Sequence, residues 1–402
     1  MSKISKKYQM LFITMFCYLF FYTGRHNFGW ATKAMREDLG ISYTFIGWIS
    51  FAMLIGYSLG QFINGNFADR FNPRYLVPIG AYLSIACNLG ISFTHSPYVI
   101  LILWFLNGYF QSMAWAPGGK IIANWFPAEE RNKAFGMYTM AAGLSSAVTF
   151  AISIYITSLH LEWRMLFRIP VLLLLLSATV FLIFIKPSPI PVEKKTKGFD
   201  FSEIKKSYSD VFGNKKFRIV CLSFGLESMA RYGLIFWVPV HFLGNNWKDD
   251  PSLIWVTFLL PLGMALGAFS FGQLSTFYFK SNYRSVFAGM LICSGLSFLL
   301  FFTHNANLVV VSLLLVACGF FVYGPQSNFW ALCPEIMGTE RTGTSIGIMN
   351  MCGYLFAALG EPFLGYIIEK TGETKLLFLI IALICLLSSL SMYTIKGKKV
   401  KN

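Results

Sequence analysis

Two arginines stand inside otherwise apolar runs, Arg25 near the start of the chain and Arg231 past its midpoint. An ionisable side chain at bilayer depth costs at least about 2.5–3.5 kcal/mol at a helix centre, so it is retained for function or for a buried partner. The set in such runs is short: Arg25, His26, Lys120, Glu227, Arg231 and Glu361. Arginine keeps its proton, and its planar fork matches the oxygens of a carboxylate or phosphate two at a time. On a continuous helix, Tyr18, Tyr22 and Arg25 share one face, being four and three residues apart. Two permanent cations in equivalent places repel each other unless an anion joins them, so the expected solute is a small anion. The alternative is that each arginine pairs permanently with a protein carboxylate. Glu227, one turn before Arg231, is the candidate partner, and it could also take up a proton.

Other polar tips have spacings suited to a cavity wall. Tyr57 and Gln61 form an i, i+4 pair, and Tyr323 and Tyr354 sit in two later apolar runs. His26 points roughly 100° round the helix from Arg25, toward the cavity edge or into packing. Lys120 lies near the end of its run and is expected to snorkel to water, and Glu361, beside Pro362, to serve helix packing. No nucleophile–base motif, metal-ligand spacing or phosphate-cradling glycine loop is present, so no catalytic residue, cofactor or metal is expected and an enzyme is disfavoured. The eight cysteines, Cys17, Cys87, Cys221, Cys293, Cys318, Cys333, Cys352 and Cys385, include no CxxC pair and are expected to be small packing residues.

Only 13% of the 402 residues are charged and 55% are hydrophobic, where a soluble chain carries about a quarter charged. A span needs about 20 apolar residues. Twelve stretches qualify, approximately 8–34, 43–67, 75–94, 97–124, 134–158, 163–186, 217–243, 252–278, 285–304, 307–332, 342–368 and 374–395. The first is too long for a signal-peptide core and has no small-residue cleavage site after it, so it is expected to be retained. The net charge of +15 is laid out as topology rather than as a polyanion site. Most of the Lys and Arg fall in alternate connections: Lys3 to Lys7, Arg70 and Arg74, Arg131 and Lys133, Lys186 to Arg218, Lys280 and Arg284, Arg341, and Lys396 to Lys401. The other connections hold Lys33, Arg36, Arg164, Arg168, Lys248, Lys370 and Lys375. Positive charge stays cytoplasmic, which puts both termini in the cytoplasm and lipid, not nucleic acid, around the chain.

Pro187, Pro189 and Pro191 lead into a basic, polar stretch to Lys216. Residues 187–216 therefore read as a cytoplasmic linker between an N-terminal bundle, 1–186, and a C-terminal bundle, 217–402. Phe201–Phe212 is a candidate surface helix. The halves echo each other: Arg25 with Arg231, Gly65 with Gly272, Pro117 with Pro325, and Glu130-Arg131 with Glu340-Arg341. A parallel repeat about an axis along the membrane normal is a transporter plan, with the solute held near the midplane.

The loop from Gly65 through Asp69 and Arg70 to Arg74 resembles the G-x-x-x-D-R-x-x-x-R signature of the major facilitator superfamily. The resemblance implies an all-α polytopic fold of twelve helices in two six-helix bundles. It also implies a latch in which Asp69, Arg70 and Arg74, with Gly65, Glu130 and Arg131, tie helix ends together in one access state. The second copy has Thr276 in the acidic position, so a second latch is expected to be weaker.

Tyr22 to Phe28, Arg231-Tyr232-Gly233 with Trp237 and Pro239, Gly108 to Gln111 continuing through Pro117 to Arg131, and Tyr323-Gly324-Pro325 with Gly353-Tyr354-Leu355 are similar to the organophosphate:phosphate antiporters. That resemblance implies that Arg25 and Arg231 grip a phosphate group, with rocker-switch access and exchange for inorganic phosphate. It further implies a monomer in a bacterial inner membrane. The chain departs from the pattern with Gln61 in place of a span-2 lysine, Ala142 in place of a histidine, Ser228 in place of a tyrosine, and an added Glu227. These make the site less cationic. Proton-coupled uptake of an organic anion or zwitterion through Glu227 is the alternative, and a receptor for a phosphorylated solute is a third reading.

Overall fold

The computed structural model describes residues 6–186, 201–243, 256–303 and 308–395. Helices are the only regular elements among them. Each of the twelve apolar stretches holds helix, in one piece or two. Span 1 is α1 (Lys6–Phe21) and α2 (Phe28–Leu39), followed by α3 (Tyr43–Arg70), α4 (Pro73–Phe93), α5 (Pro97–Gln111), α6 (Trp115–Trp125), α7 (Ala128–Ser158), α8 (Met165–Arg168) and α9 (Pro170–Phe184). Next is α10 (Phe201–Gly213). Then come α11 (Lys215–Leu243), α12 (Val256–Leu274), α13 (Asn282–Phe301), α14 (Leu308–Tyr323), α15 (Gln326–Met337), α16 (Thr342–Thr371) and α17 (Leu376–Tyr393).

Local chemistry sets several boundaries. The Ser42 hydroxyl accepts from the Phe45 N–H and starts α3, and the Asn72 side chain accepts from the Arg74 N–H ahead of Pro73 in α4. Gly40 ends α2 in the left-handed region, at φ 62°.

Among the described residues, seven helical stretches are long and apolar enough to cross a membrane by length and composition: Pro73–Phe93, Pro97–Trp125, Met165–Phe184, Phe258–Phe279, Asn282–Phe301, Val309–Met337 and Leu376–Tyr393. The other spans are α1 with α2, α3, α7, α11 and α16, and between them they carry Arg25, Asp69, Glu130, Glu227 and Arg231.

The chain divides into two compact units. One comprises Met1–Ala128, Ala141–Val211 and Met337–Met351; the other comprises Glu129–Met140, Phe212–Ile336 and Cys352–Asn402. In the first unit α3 packs on α5, and a Cβ at Gly56 or Gly108 would run into facing backbone, that of Phe105 or of Met53. Trp104 stacks on Phe28 with ring centroids 5.0 Å apart and meets Phe167 edge-on. In the second unit α12 packs on α14 with the same device, through Gly263, Gly267 and Gly319. Small residues let helices approach closely where lipid supplies no hydrophobic drive. Gly56 and Gly263 are as far apart in sequence as Gly65 and Gly272, so the packing repeats with the sequence.

Cys293 Sγ lies 4.0 Å from Cys318 Sγ and 3.7 Å from Cys385 Sγ, so buried thiols of three helices pack together. On α10, Ser207 and Val211 are buried and Phe201 is exposed.

Candidate functional site

Arg25 does not sit in a continuous helix. The α-helix stops at Phe21, Tyr22–Gly24 make one 3-10 turn, and helix resumes at Phe28. The N–H groups of Arg25 and His26 both donate to the Tyr22 carbonyl, at 3.0 and 2.8 Å. A break inside a span leaves carbonyls without helical donors, and these must find partners within the protein. The Gly24 carbonyl accepts from Asn88 Nδ2 at 3.1 Å and Asn107 Nδ2 at 2.9 Å. The Asn27 amide donates to Asn88 Oδ1 and to the Leu166 carbonyl, Ser84 donates to Asn107, and Gln111 donates to Ser84. A Cβ at Gly24 would press on Asn88 Nδ2 and Gln111 Nε2, each 3.2 Å away.

The break replaces the single face expected for Tyr18, Tyr22 and Arg25, yet their neighbourhood survives. Tyr18 meets Tyr22 edge-on at 5.8 Å, and Tyr22 meets His26 at 4.5 Å. Arg25 is 8% exposed. Its guanidinium carbon lies 4.5 Å from the Tyr57 ring centroid and 5.4 Å from that of Tyr22, geometry suited to cation–π attraction. Gln61 is fully buried elsewhere on α3, donating to the Ser112 carbonyl where α5 gives way to α6; its own Oε1 has no hydrogen-bond partner.

Arg231 sits within the continuous α11. Its guanidinium carbon is 4.4 Å from the Tyr232 ring centroid and 5.3 Å from that of Tyr323, and Tyr354 packs on Tyr232 at 5.9 Å. Arg231 Nε donates to Glu227 Oε1 at 3.3 Å, and Glu227, with no exposed surface, also accepts from Ser228. Gln326, the first residue of α15, reaches the same place. One terminal position of its amide is 3.4 Å from both Glu227 oxygens, and an oxygen there accepts from Arg231 Nε and Nη2, each at 3.2 Å. Arg25 is buried and Arg231 largely so, each beside two tyrosine rings, and Arg231 donates to Glu227.

The Asp69 side chain lies at the start of α16. Its Oδ1 accepts from the Gly343 N–H at 2.8 Å and Lys120 Nζ at 2.9 Å, and its Oδ2 from the N–H and hydroxyl of Thr344, both at 2.7 Å. A carboxylate on a helix N-terminus meets unpaired N–H groups and the positive end of the dipole. Lys120 does not snorkel: it is 4% exposed and also donates to the carbonyls of Thr339 and Glu340. Gly65 permits the approach, since a Cβ there would stand 2.7 Å from the Gly347 Cα.

Arg70 donates to Asn66 and pairs with Glu203 at 3.7 Å, and Arg74 donates to the Leu182 carbonyl. Glu130 and Arg131 stand in the first turn of α7. Thr276 turns its hydroxyl back to the Gly272 carbonyl of its own span. The Glu361 side chain lies outside the described residues.

Sequence reasoning passed over Tyr232, Gln326, Asn88 and Asn107 as site residues. The available signal was an uncharged amide inside an apolar span, which needs a partner as surely as a charge does.

The family model described as Major Facilitator Superfamily matches residues 14–361. The chain belongs to that superfamily. It has the superfamily's all-α, multi-pass membrane fold, and this is a family of transporters. The glycerol-3-phosphate transporter of Bacillus subtilis is 26% identical, over 92% of this chain and 89% of that one. The hexose-6-phosphate:phosphate antiporter of Salmonella typhimurium is 24% identical, over 91% of this chain and 84% of that one. Among solved structures, the E. coli fucose:proton symporter superposes with a TM-score of 0.74 at 14% identity, covering 96% of this chain and 98% of the other. That likeness concerns the fold.

Proposed function

We propose that this transporter moves a small organic phosphate ester in exchange for inorganic phosphate, with Arg25 and Arg231 gripping the anion. The observation that carries the reading is the pair of largely buried guanidinium groups, each seated on two tyrosine rings. Burial makes each cation costly when unmatched, and a phosphate offers each fork a two-point contact. The relatives named for glycerol-3-phosphate and hexose-6-phosphate support the substrate class. Residues 1–186 and 217–402 act as the two bundles of a rocker switch, 187–216 as linker, in a bacterial inner membrane with both termini cytoplasmic. Tyr18, Tyr22, His26, Tyr57, Gln61, Tyr323 and Tyr354 supply the surrounding contacts. Asp69, Arg70 and Arg74, with Gly65, Glu130 and Arg131, form the latch.

The buried Glu227 favours a second reading, proton-coupled uptake of an organic anion or zwitterion. Proteoliposomes separate the two. Exchange that requires preloaded phosphate and ignores a pH gradient supports the first. Uptake into empty vesicles, driven by an inward proton gradient and lost in Glu227→Gln, overturns it in favour of the second.

A further inference from the structure

We infer that Gln326 is a positioning residue that lets Arg231 exchange its internal carboxylate for a solute anion. The inference rests on the reading of Arg231 as an anion ligand and adds a step to it. When the guanidinium turns to an incoming anion, Glu227 loses its strongest partner while still buried. A buried carboxylate without donors is costly, and the cost would be charged against binding. The amide of Gln326 removes it. One terminal position of that side chain lies within reach of both Glu227 oxygens and of Nε and Nη2 of Arg231. With nitrogen in that position Gln326 donates to Glu227; with oxygen there it accepts from Arg231. A half-turn about the last side-chain bond converts one into the other, because a carboxamide carries a donor and an acceptor of nearly equal size.

The surroundings hold the side chain to this task. Gln326 is 4% exposed and opens α15 directly after Pro325, which fixes the chain entering that turn. Glu227 accepts from Arg231 Nε, Gln326 lies within reach of Nε and Nη2, and Nη1 makes no hydrogen bond to a described residue. A two-point grip on an anion by the Nε/Nη2 edge takes Nε from Glu227, and that is the exchange for which Gln326 compensates. Leucine at position 326 would supply neither a donor nor an acceptor, and glutamate would supply an acceptor with an added negative charge.

The test is calorimetric titration of the purified full-length protein with inorganic phosphate, in wild type, Gln326→Leu, Glu227→Gln and the double variant. Gln326→Leu is expected to weaken phosphate binding about tenfold or more. In the Glu227→Gln background, where no carboxylate must be satisfied, the same substitution is expected to cost less than about twofold. A purely structural role would give equal losses in both backgrounds. If Gln326→Leu lowers the yield of folded protein, Gln326→Met, of similar length and without the amide, is read the same way. Equal losses, or no loss, while Arg231→Lys still weakens binding at least about tenfold, would overturn the role of Gln326 and leave the anion site standing. Normal phosphate binding by Arg231→Lys would overturn both.

Discussion

Asp69 and Thr344 are joined twice, the carboxylate Oδ2 accepting from both the backbone N–H and the hydroxyl of the threonine at 2.7 Å. The threonine hydroxyl has one proton and two lone pairs. The proton goes to Asp69, and the lone pairs face Asn66 Nδ2 and Ser207 Oγ, each at 3.1 Å. One side chain therefore connects α3, α16 and the linker helix α10.

Asp69→Asn removes the charge from the α16 N-terminus and leaves Lys120 buried without its counter-ion. The substitution is expected to slow exchange in proteoliposomes several-fold more than it weakens phosphate binding. Unchanged turnover would remove Asp69 from any latch.

The Lys120–Asp69 pair also predicts a stability pattern. Removing one member of a buried pair costs about 3–5 kcal/mol, whereas removing both costs far less. Thermal unfolding of Lys120→Met, Asp69→Asn and the double variant is expected to show the double variant well above the sum of the single losses. Strict additivity would mean that the pair is not energetically coupled.

Two glycine substitutions should diverge. Gly65→Ala places a methyl group against Gly347 and the Gly343 carbonyl, whereas a Cβ at Gly143 meets nothing within 4 Å. Gly143→Ala, in the interior of α7, is expected to be neutral or stabilising by about 0.5–1 kcal/mol. Gly65→Ala is expected to lower the melting temperature and alter turnover. A similar response at the two positions would contradict the close approach.

Asp38 gives a pH prediction. Arg164 Nη1 donates to its Oδ2 at 2.6 Å and Trp163 Nε1 at 3.2 Å. The Arg164 hydrogen bond first, and then that of Trp163, hold the Asp38 carboxyl below its usual range. A depressed carboxylate contributes stability above its unfolded value, which is about 3.9, and loses it as pH falls through the folded value. Asp38 is partly exposed, so the contribution is at most about 1 kcal/mol. Asp38→Asn should lower the melting temperature slightly and equally from pH 5 to pH 8, and have no effect in strong acid. A difference that changes between pH 5 and pH 8 would contradict the assignment to Asp38.

The twelve helical stretches and the repeat were legible because apolar length and loop charge are local properties. The break after Phe21 was not. No proline marks it, and its carbonyl is satisfied by Asn88 and Asn107 from α4 and α5, which helical periodicity within one span cannot reveal. Lys120 read as a snorkelling side chain because its acceptors, Asp69 and the carbonyls of Thr339 and Glu340, are distant in sequence. The pairing of Glu227 with Arg231 was legible from the i, i+4 spacing alone. Gln326 was not, since a residue following a proline has no helical register with α11.

The most direct test of the anion site is calorimetric titration of inorganic phosphate into Arg25→Lys and Arg231→Lys, each checked for intact folding by its unfolding profile. Lysine keeps the charge and loses the fork. Each variant is expected to bind phosphate at least about tenfold, and up to about a hundredfold, more weakly than wild type. Binding within about twofold of wild type in either one would contradict the account.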